Sequence, residues 1–294
     1  MFCTFNLRKS LFKAYRILKQ YFMGSNLIIG IFVAVLVCLI FHFAIKMIEV
    51  AYVLKYRKPF YIHFYPFLKK LNKEQKSILS TKFRFYNKLT SKQKSFFEHR
   101  VASFIKDKDF IGRDGLVITD EIMILISATA VMLTFGFRDF YIALISKIVV
   151  YPNKFYSVTN KDYHKGEFNP KLETLVLSWE DFKQGFDIGN DNLNLGIHEF
   201  THAIHLNSIK ERDISSTIFS DSFSELSKLL AEKEDLRNRL IASKYFRQYA
   251  FTNQFEFLAV AIENFIETPQ DFKSEFPEIY GKVRQMLNFN ISEY

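Results

Sequence analysis

The sequence predicts an α+β protein, mostly helical with a short sheet, preceded by one N-terminal transmembrane helix. Three observations carry this. "LIIGIFVAVLVCLIFHFAI", Leu27 to Ile45, is a run of 19 residues without a charge. As a helix it spans roughly 28 Å, close to a bilayer core of about 30 Å. From about residue 96 onward, apolar residues recur mainly at helical spacing, and two short runs rich in β-branched residues, in "SKIVVYPNKF" and "ETLVLSW", read as strands.

Composition narrows the class. The chain is 49% hydrophobic and 17% aromatic, with 34 Phe, enough for a large core, which excludes a disordered chain. Two cysteines, Cys3 and Cys38, supply neither a disulfide framework nor a Cys-based zinc site. The net charge of +9 hides a division. Residues 1–100 hold 19 Lys/Arg against three acids, whereas residues 101–294 hold 21 against 28. A basic first part and an acidic remainder argue against a nucleic-acid-binding core and suit a basic segment beside anionic lipid.

Taken in order, residues 1–26 contain "LRKSLFKAYRILKQYF", a basic amphipathic segment of the kind that lies on a membrane surface. Residues 27–48 are the span. The apolar run is too long for a cleaved signal peptide, and no small-x-small site follows it. Five basic residues precede the run and four follow closely, so the positive-inside rule leaves its orientation open. Residues 49–95 read as a basic, aromatic juxtamembrane connector. The remaining domain, 96–294, starts within "KSFFEHRVASFIK", a helix with Ser91 as its N-cap. "TDEIMILISATAVMLTFG" opens with Thr119 and two acids and ends near Gly136, a C′ residue. Its apolar run is too short for a second span and predicts a central buried helix. A strand then ends at Pro152, another ends at Trp179, and helices dominate after residue 193.

The chemistry is concentrated in "LGIHEFTHAIHL", which holds three of the seven histidines. On a helix, His198 and His202 lie one turn apart and can aim both imidazoles at one ion. Glu199, offset by about 100°, reaches a water near that ion without being a ligand. This is the content of H-E-x-x-H: two neutral nitrogens hold Zn²⁺ and the adjacent carboxylate takes a proton from water. A catalytic site needs one further protein ligand. The metzincin pattern fails, because His205 stands where Gly is required and Ser208 where the third His should be. Glu256 and Glu263 in "TNQFEFLAVAIENFIETP" are the helical candidates, seven apart and nearly on one face. Spacing leaves the choice open: Asn253 and Glu256 also fit a capping box, and Glu263 fits a surface carboxylate.

These blocks, with "GLVITDE", "VVYPNKF", "LVLSWEDFKQG" and "YAFTNQFEFLAVAIENFIETPQDFKSEFPEIY", resemble the Mlc titration factor-type zinc peptidases, a gluzincin-like group, from about Phe96 to Tyr280. The resemblance implies a zincin-like metallopeptidase domain holding one Zn²⁺ through His198, His202 and Glu256. It further implies Glu199 as the catalytic carboxylate and Tyr249 as an oxyanion donor. The substrate it implies is a peptide or protein, and it tilts the domain toward the cytoplasmic side; the span and connector, residues 1–95, lie outside the resemblance, and membrane lipid as a second partner follows from the apolar run. His205 departs from the family, where Asp is common, so a carboxylate that orients a ligand is expected to be missing. His205 itself reads as a substrate contact or partly buried surface residue, and "ETLVLSW" as an edge for an extended peptide. The rival class is a membrane-tethered regulatory module that captures a protein partner, with a structural zinc closed by His205 or no metal.

Overall fold

The computed structural model describes residues 3–157 and 161–289. The chain divides into two compact units, Met1–Lys55 and Tyr56–Tyr294. Among the described residues the first unit is one uninterrupted helix, α1 (Cys3–Tyr56), whose last residue opens the second unit. Its part from Asn26 to Tyr56 is long and apolar enough to cross a membrane, and its large side chains are exposed along Leu27–Ile45. The side chains of the basic segment expected to lie on a membrane, residues 1–25, fall outside the described residues.

The second unit begins with two short helices, α2 (Lys73–Lys82) and α3 (Arg84–Asn87), before α4 (Ser91–Asp107). This corrects the connector reading. From Leu71 on, the lysine-rich stretch feeds the core with Leu79, Phe83, Phe85, Tyr86 and Leu89. The lysines occupy the outer faces and dilute the apolar signal. Two capping boxes mark the helix starts: Asn72 with Gln75, and Thr90 with Gln93. The cap of α4 is therefore Thr90, one residue before the expected Ser91.

Strand β1 (Asp109–Gly112) leads to α5 (Asp120–Leu133), capped by Thr119 as its sequence predicts. Nearly every side chain of α5 from Ile122 to Leu133 is buried, and it packs on α2, α4 and the helix that carries the histidines. Gly136 is not its cap, since the C-cap is Thr134. A Cβ at Gly136 would run into the backbone carbonyls of Leu287 and Asn288, so glycine is needed there for close approach.

Strands β2 (Lys147–Tyr151), β3 (Phe155–Ser157), β4 (Asp162–His164), β5 (Gly166–Asn169) and β6 (Thr174–Ser178) follow. The main sheet has the order β1-β2-β6-β5, and β3 pairs with β4 as a separate antiparallel ribbon. β2 pairs in parallel with β1 and β6, while β5 pairs antiparallel to β6 with Phe168 opposite Leu175. β6, expected as an edge, is internal; β1 and β5 are the edge strands. Trp179 opens helix α6 (Trp179–Asp187) instead of ending β6.

Helices α7 (Leu195–Lys210), α8 (Ile214–Glu232) and α9 (Glu234–Ser243) lead to a 3₁₀ turn at Gln248–Phe251. Then come α10 (Gln254–Glu267), α11 (Pro269–Glu275) and α12 (Pro277–Met286). α7 is held between α5, α8 and α10.

Behind this core, Arg100 on α4 is fully buried, with no carboxylate at ion-pair distance among the described residues. Its guanidinium donates to the carbonyls of Thr134, Phe135 and Phe137 and, across the chain, to the Ile62 carbonyl and the Tyr65 hydroxyl. The Phe140 ring lies 4.5 Å from it, a cation–π contact that helps a charge which has lost water.

Candidate metal centre

Two capped helix starts aim the site. Asn194 caps α7, accepting from Ile197 N–H at 3.1 Å, and its own side-chain amide donates to the Gly185 carbonyl at 2.8 Å. Asn253 caps α10, accepting from Phe255 and Glu256 N–H at 2.8 and 3.1 Å. Glu256 thus has its backbone capped by Asn253, while its own carboxylate turns toward α7.

His198, His202 and Glu256 each bring one ligand atom to a common centre, all within 4.8 Å of one another. His198 Nε2 lies 3.1 Å from His202 Nε2 and 2.9 Å from Glu256 Oε2, and His202 Nε2 lies 3.6 Å from the same oxygen. Tetrahedral zinc ligands at ordinary N and O distances stand about 3.3 Å apart, so this spacing fits such an ion. Glu256 Oε2 adds a second observation. It is buried, and although it lies within ion-pair distance of His198 Nε2 no hydrogen bond of good geometry satisfies it. A ligand set of two imidazoles and one carboxylate leaves a fourth position open, as catalytic zinc sites do.

The other ring nitrogen of His198 is held equally firmly. Nδ1 is 2.6 Å from Glu263 Oε1, and Glu263 is completely buried. Arg247 grips that carboxylate with both arms, at 2.6 and 2.8 Å, and also donates to the Asn192 carbonyl. The two glutamates that spacing could not separate therefore divide the two nitrogens of one imidazole. Glu256 faces Nε2 and Glu263 faces Nδ1. The carboxylate expected to be missing comes from α10 instead of α7. Sequence reasoning missed Arg247 altogether; its only signal is a cation two residues before Tyr249.

The electrostatics follow. Burial opposes a charged His198, but Glu256 and Glu263 outweigh it and raise its pKa to about 9. Carboxylates that favour a proton there also favour a metal cation. Burial would raise the Glu256 carboxyl, yet His198 and His202 hold it well below the usual carboxylate range. Glu199 is pushed upward, chiefly by burial, with the two histidines working against the shift. It is buried against the backbone of β5, where a Cβ at Gly166 would come within 2.6 Å of its Cγ and Oε1. Gly166 is thus the space that lets Glu199 sit beside the histidines. Tyr249, half-exposed, has its ring 5.9 Å from that of His198. Partial burial and the Glu256 carboxylate push its hydroxyl up to about 12, so it stays protonated as a donor at neutral pH.

His205 is not brought to this centre. It is buried among Phe219, Phe223 and Phe255, and neither ring nitrogen has a hydrogen-bond partner. Burial lowers its pKa to about 4. It is neither a surface residue nor a fourth ligand, because α8 and the start of α10 close over it with aromatic rings.

A cleft of about 450 Å³ opens onto the site, lined among others by Lys154, His164, Glu199, Arg247 and Tyr249. His164 on β4 presents a buried Nε2 that has no hydrogen-bond partner among the described residues.

The chain is 26% identical over 228 residues to slr2042, an uncharacterised protein of Synechocystis sp. (strain ATCC 27184 / PCC 6803 / Kazusa); the match covers 71% of this chain and 81% of the relative. Residues 67–288, which include α2 through α12 and every residue of the centre, match the family described as glucose-regulated metallo-peptidase M90. The resemblance read from the motifs of α7 and α10 is the same family, and the chain belongs to the M90 metallopeptidases.

Proposed function

We propose that this protein is a membrane-anchored, zinc-dependent peptidase. The observation that carries the reading is the convergence of His198 Nε2, His202 Nε2 and Glu256 Oε2 beside a buried Glu199 at the floor of a cleft. A bound zinc ion would supply Lewis acidity toward a scissile carbonyl and toward water. The residues do the rest. Glu199 accepts a proton from water and returns it to the leaving amine, and its upward shift brings it closer to neutral pH, as suits a group that both takes and gives a proton. The Tyr249 hydroxyl donates to the oxyanion that develops on the carbonyl. Glu263, fixed by Arg247, accepts from His198 Nδ1–H, so Nε2 is the nitrogen that presents a lone pair to the ion.

An extended peptide would add to the free edge of β5, whose Gly166 touches Glu199. The rival reading, a closed structural zinc, needs a fourth protein ligand. His205 was its candidate, and its phenylalanine surroundings speak against it.

The anchor is α1. Nineteen apolar side chains exposed to water would cost on the order of 30 kcal/mol, more than the net stability of a whole domain, so this helix calls for lipid. We place the domain on the cytoplasmic side, as the family resemblance implies, and protease accessibility on intact cells tests that side.

The test uses the full chain. About one zinc per chain should be found, with chelation removing both metal and peptide hydrolysis. Glu199→Gln should keep the zinc and lose about 10²–10⁴-fold in hydrolysis. A Glu199→Gln protein that cleaves as well as the parent overturns the assignment.

A further inference from the structure

The segment between α1 and α2 is irregular, and its side chains divide between two faces. One face is fastened to the domain. His63 stacks on Phe96 with ring centres 4.6 Å apart, the Lys69 N–H donates to His99 Nδ1 at 2.8 Å, and Arg100 holds Ile62 and Tyr65. The other face carries Phe64 and Phe67, which are 75% and 89% exposed, with Tyr61 and Leu68 also exposed beside them. Lys58, Lys69 and Lys70 are exposed around them. From residue 50 to residue 73 there are six Lys/Arg and no Asp or Glu.

Single exposed hydrophobics need no explanation, but a cluster of large aromatics does. Here the fastened backbone prevents Phe64 and Phe67 from folding inward. The chain enters this segment directly from a helix long and apolar enough to cross a membrane. Aromatic rings in a lysine-rich stretch that itself holds no acid, with Lys58, Lys69 and Lys70 exposed while Arg57 is paired to Asp221 and Glu225, match the headgroup layer of an anionic bilayer in polarity and charge.

We propose that the face of Tyr61, Phe64, Phe67 and Leu68, flanked by Lys58, Lys69 and Lys70, is a second membrane contact that seats the peptidase domain on an anionic lipid surface. The proposal rests on reading α1 as a membrane span. A span alone limits distance from the bilayer; a fastened aromatic face limits orientation as well.

The experiment places the full chain, with Cys3 and Cys38 replaced by Ser, in nanodiscs of phosphatidylcholine with phosphatidylglycerol. An environment-sensitive fluorophore is attached at one new cysteine at a time: Leu68→Cys, Val117→Cys as an exposed control, and Val35→Cys within the span. The label at 68 should shift to the blue and be quenched by lipid-borne quenchers several-fold more than the label at 117. Phe64→Ser with Phe67→Ser should return it to water. Omitting phosphatidylglycerol, or replacing one of the three lysines by Gln, should weaken the docked state, roughly fivefold per lysine. A label at 68 that reads water while the label at 35 reads lipid overturns the docking face and leaves the span intact. A label at 35 that reads water overturns the span and the proposal together. Shielding at 68 that persists without lipid and grows with protein concentration assigns the face to a second copy of the chain and overturns the lipid reading.

Discussion

His198 and His205 stand two turns apart on α7, both buried, and meet opposite surroundings. His198 has a partner at each nitrogen and a proton affinity raised to about 9; His205 has none and is lowered to about 4. Burial acts in the same direction on both. What separates them is the element that faces each ring: two carboxylates of α10 at one end, three phenylalanines at the other. A buried imidazole becomes a cation-binding group only where carboxylates overcome its desolvation, and helical spacing alone does not reveal where that happens.

The contrast can be sharpened first at the polar end. Tyr249→Phe should lower kcat by about 10²–10³-fold with zinc content unchanged, because it removes one donor to the developing oxyanion. A smaller effect is expected from Glu263→Gln, which keeps the shape but weakens the grip on His198 Nδ1. Zinc affinity should fall about 10–100-fold, read by competition with a chromogenic chelator. If affinity is unchanged, Glu263 is structural only, and the contrast between the two histidines loses half its basis.

The apolar end gives the smallest effect on activity and a distinct one on stability. The folded pKa of His205 lies below its unfolded value near 6.5, so the unfolded chain binds more protons between about pH 6.5 and pH 4. Stability is fully present above that window and is lost as pH falls through it. At pH 5 the penalty is about 2 kcal/mol. His205→Phe should remove it, raising the denaturation midpoint at pH 5 relative to pH 8 while leaving hydrolysis at neutral pH unchanged. A variant equally stabilised at both pH values would mean that packing, not protonation, is what His205 costs.

Much of the centre is legible in the sequence because it is local. His198, Glu199 and His202 are a helical repeat, Thr119 announces α5, and β2 and β6 lie where their β-branched runs fall. Spacing made Glu256 legible as a facing residue, and only the resemblance, not the helical period, singled it out over Glu263, since spacing names a face without naming what stands opposite. Arg247, Gly166 and the role of Glu263 depend on contacts between segments far apart in the chain, which no local period encodes. The core residues between Leu71 and Leu89 were hidden for another reason. Their helices are short and lysine-rich, so the apolar stripe is thin, and only the two capping boxes mark it.

Arg100 has a consequence for where this protein can be cut. The apparent tether supplies two acceptors to a guanidinium that makes no ion pair among the described residues. A shortened chain begun at residue 96 would leave those N–H groups buried and unmet, a loss of several kcal/mol from a domain whose whole margin is about 5–15. The metallopeptidase-family domain should therefore unfold as one cooperative body with residues 62–65, and a soluble fragment that keeps its fold has to begin upstream of Ile62.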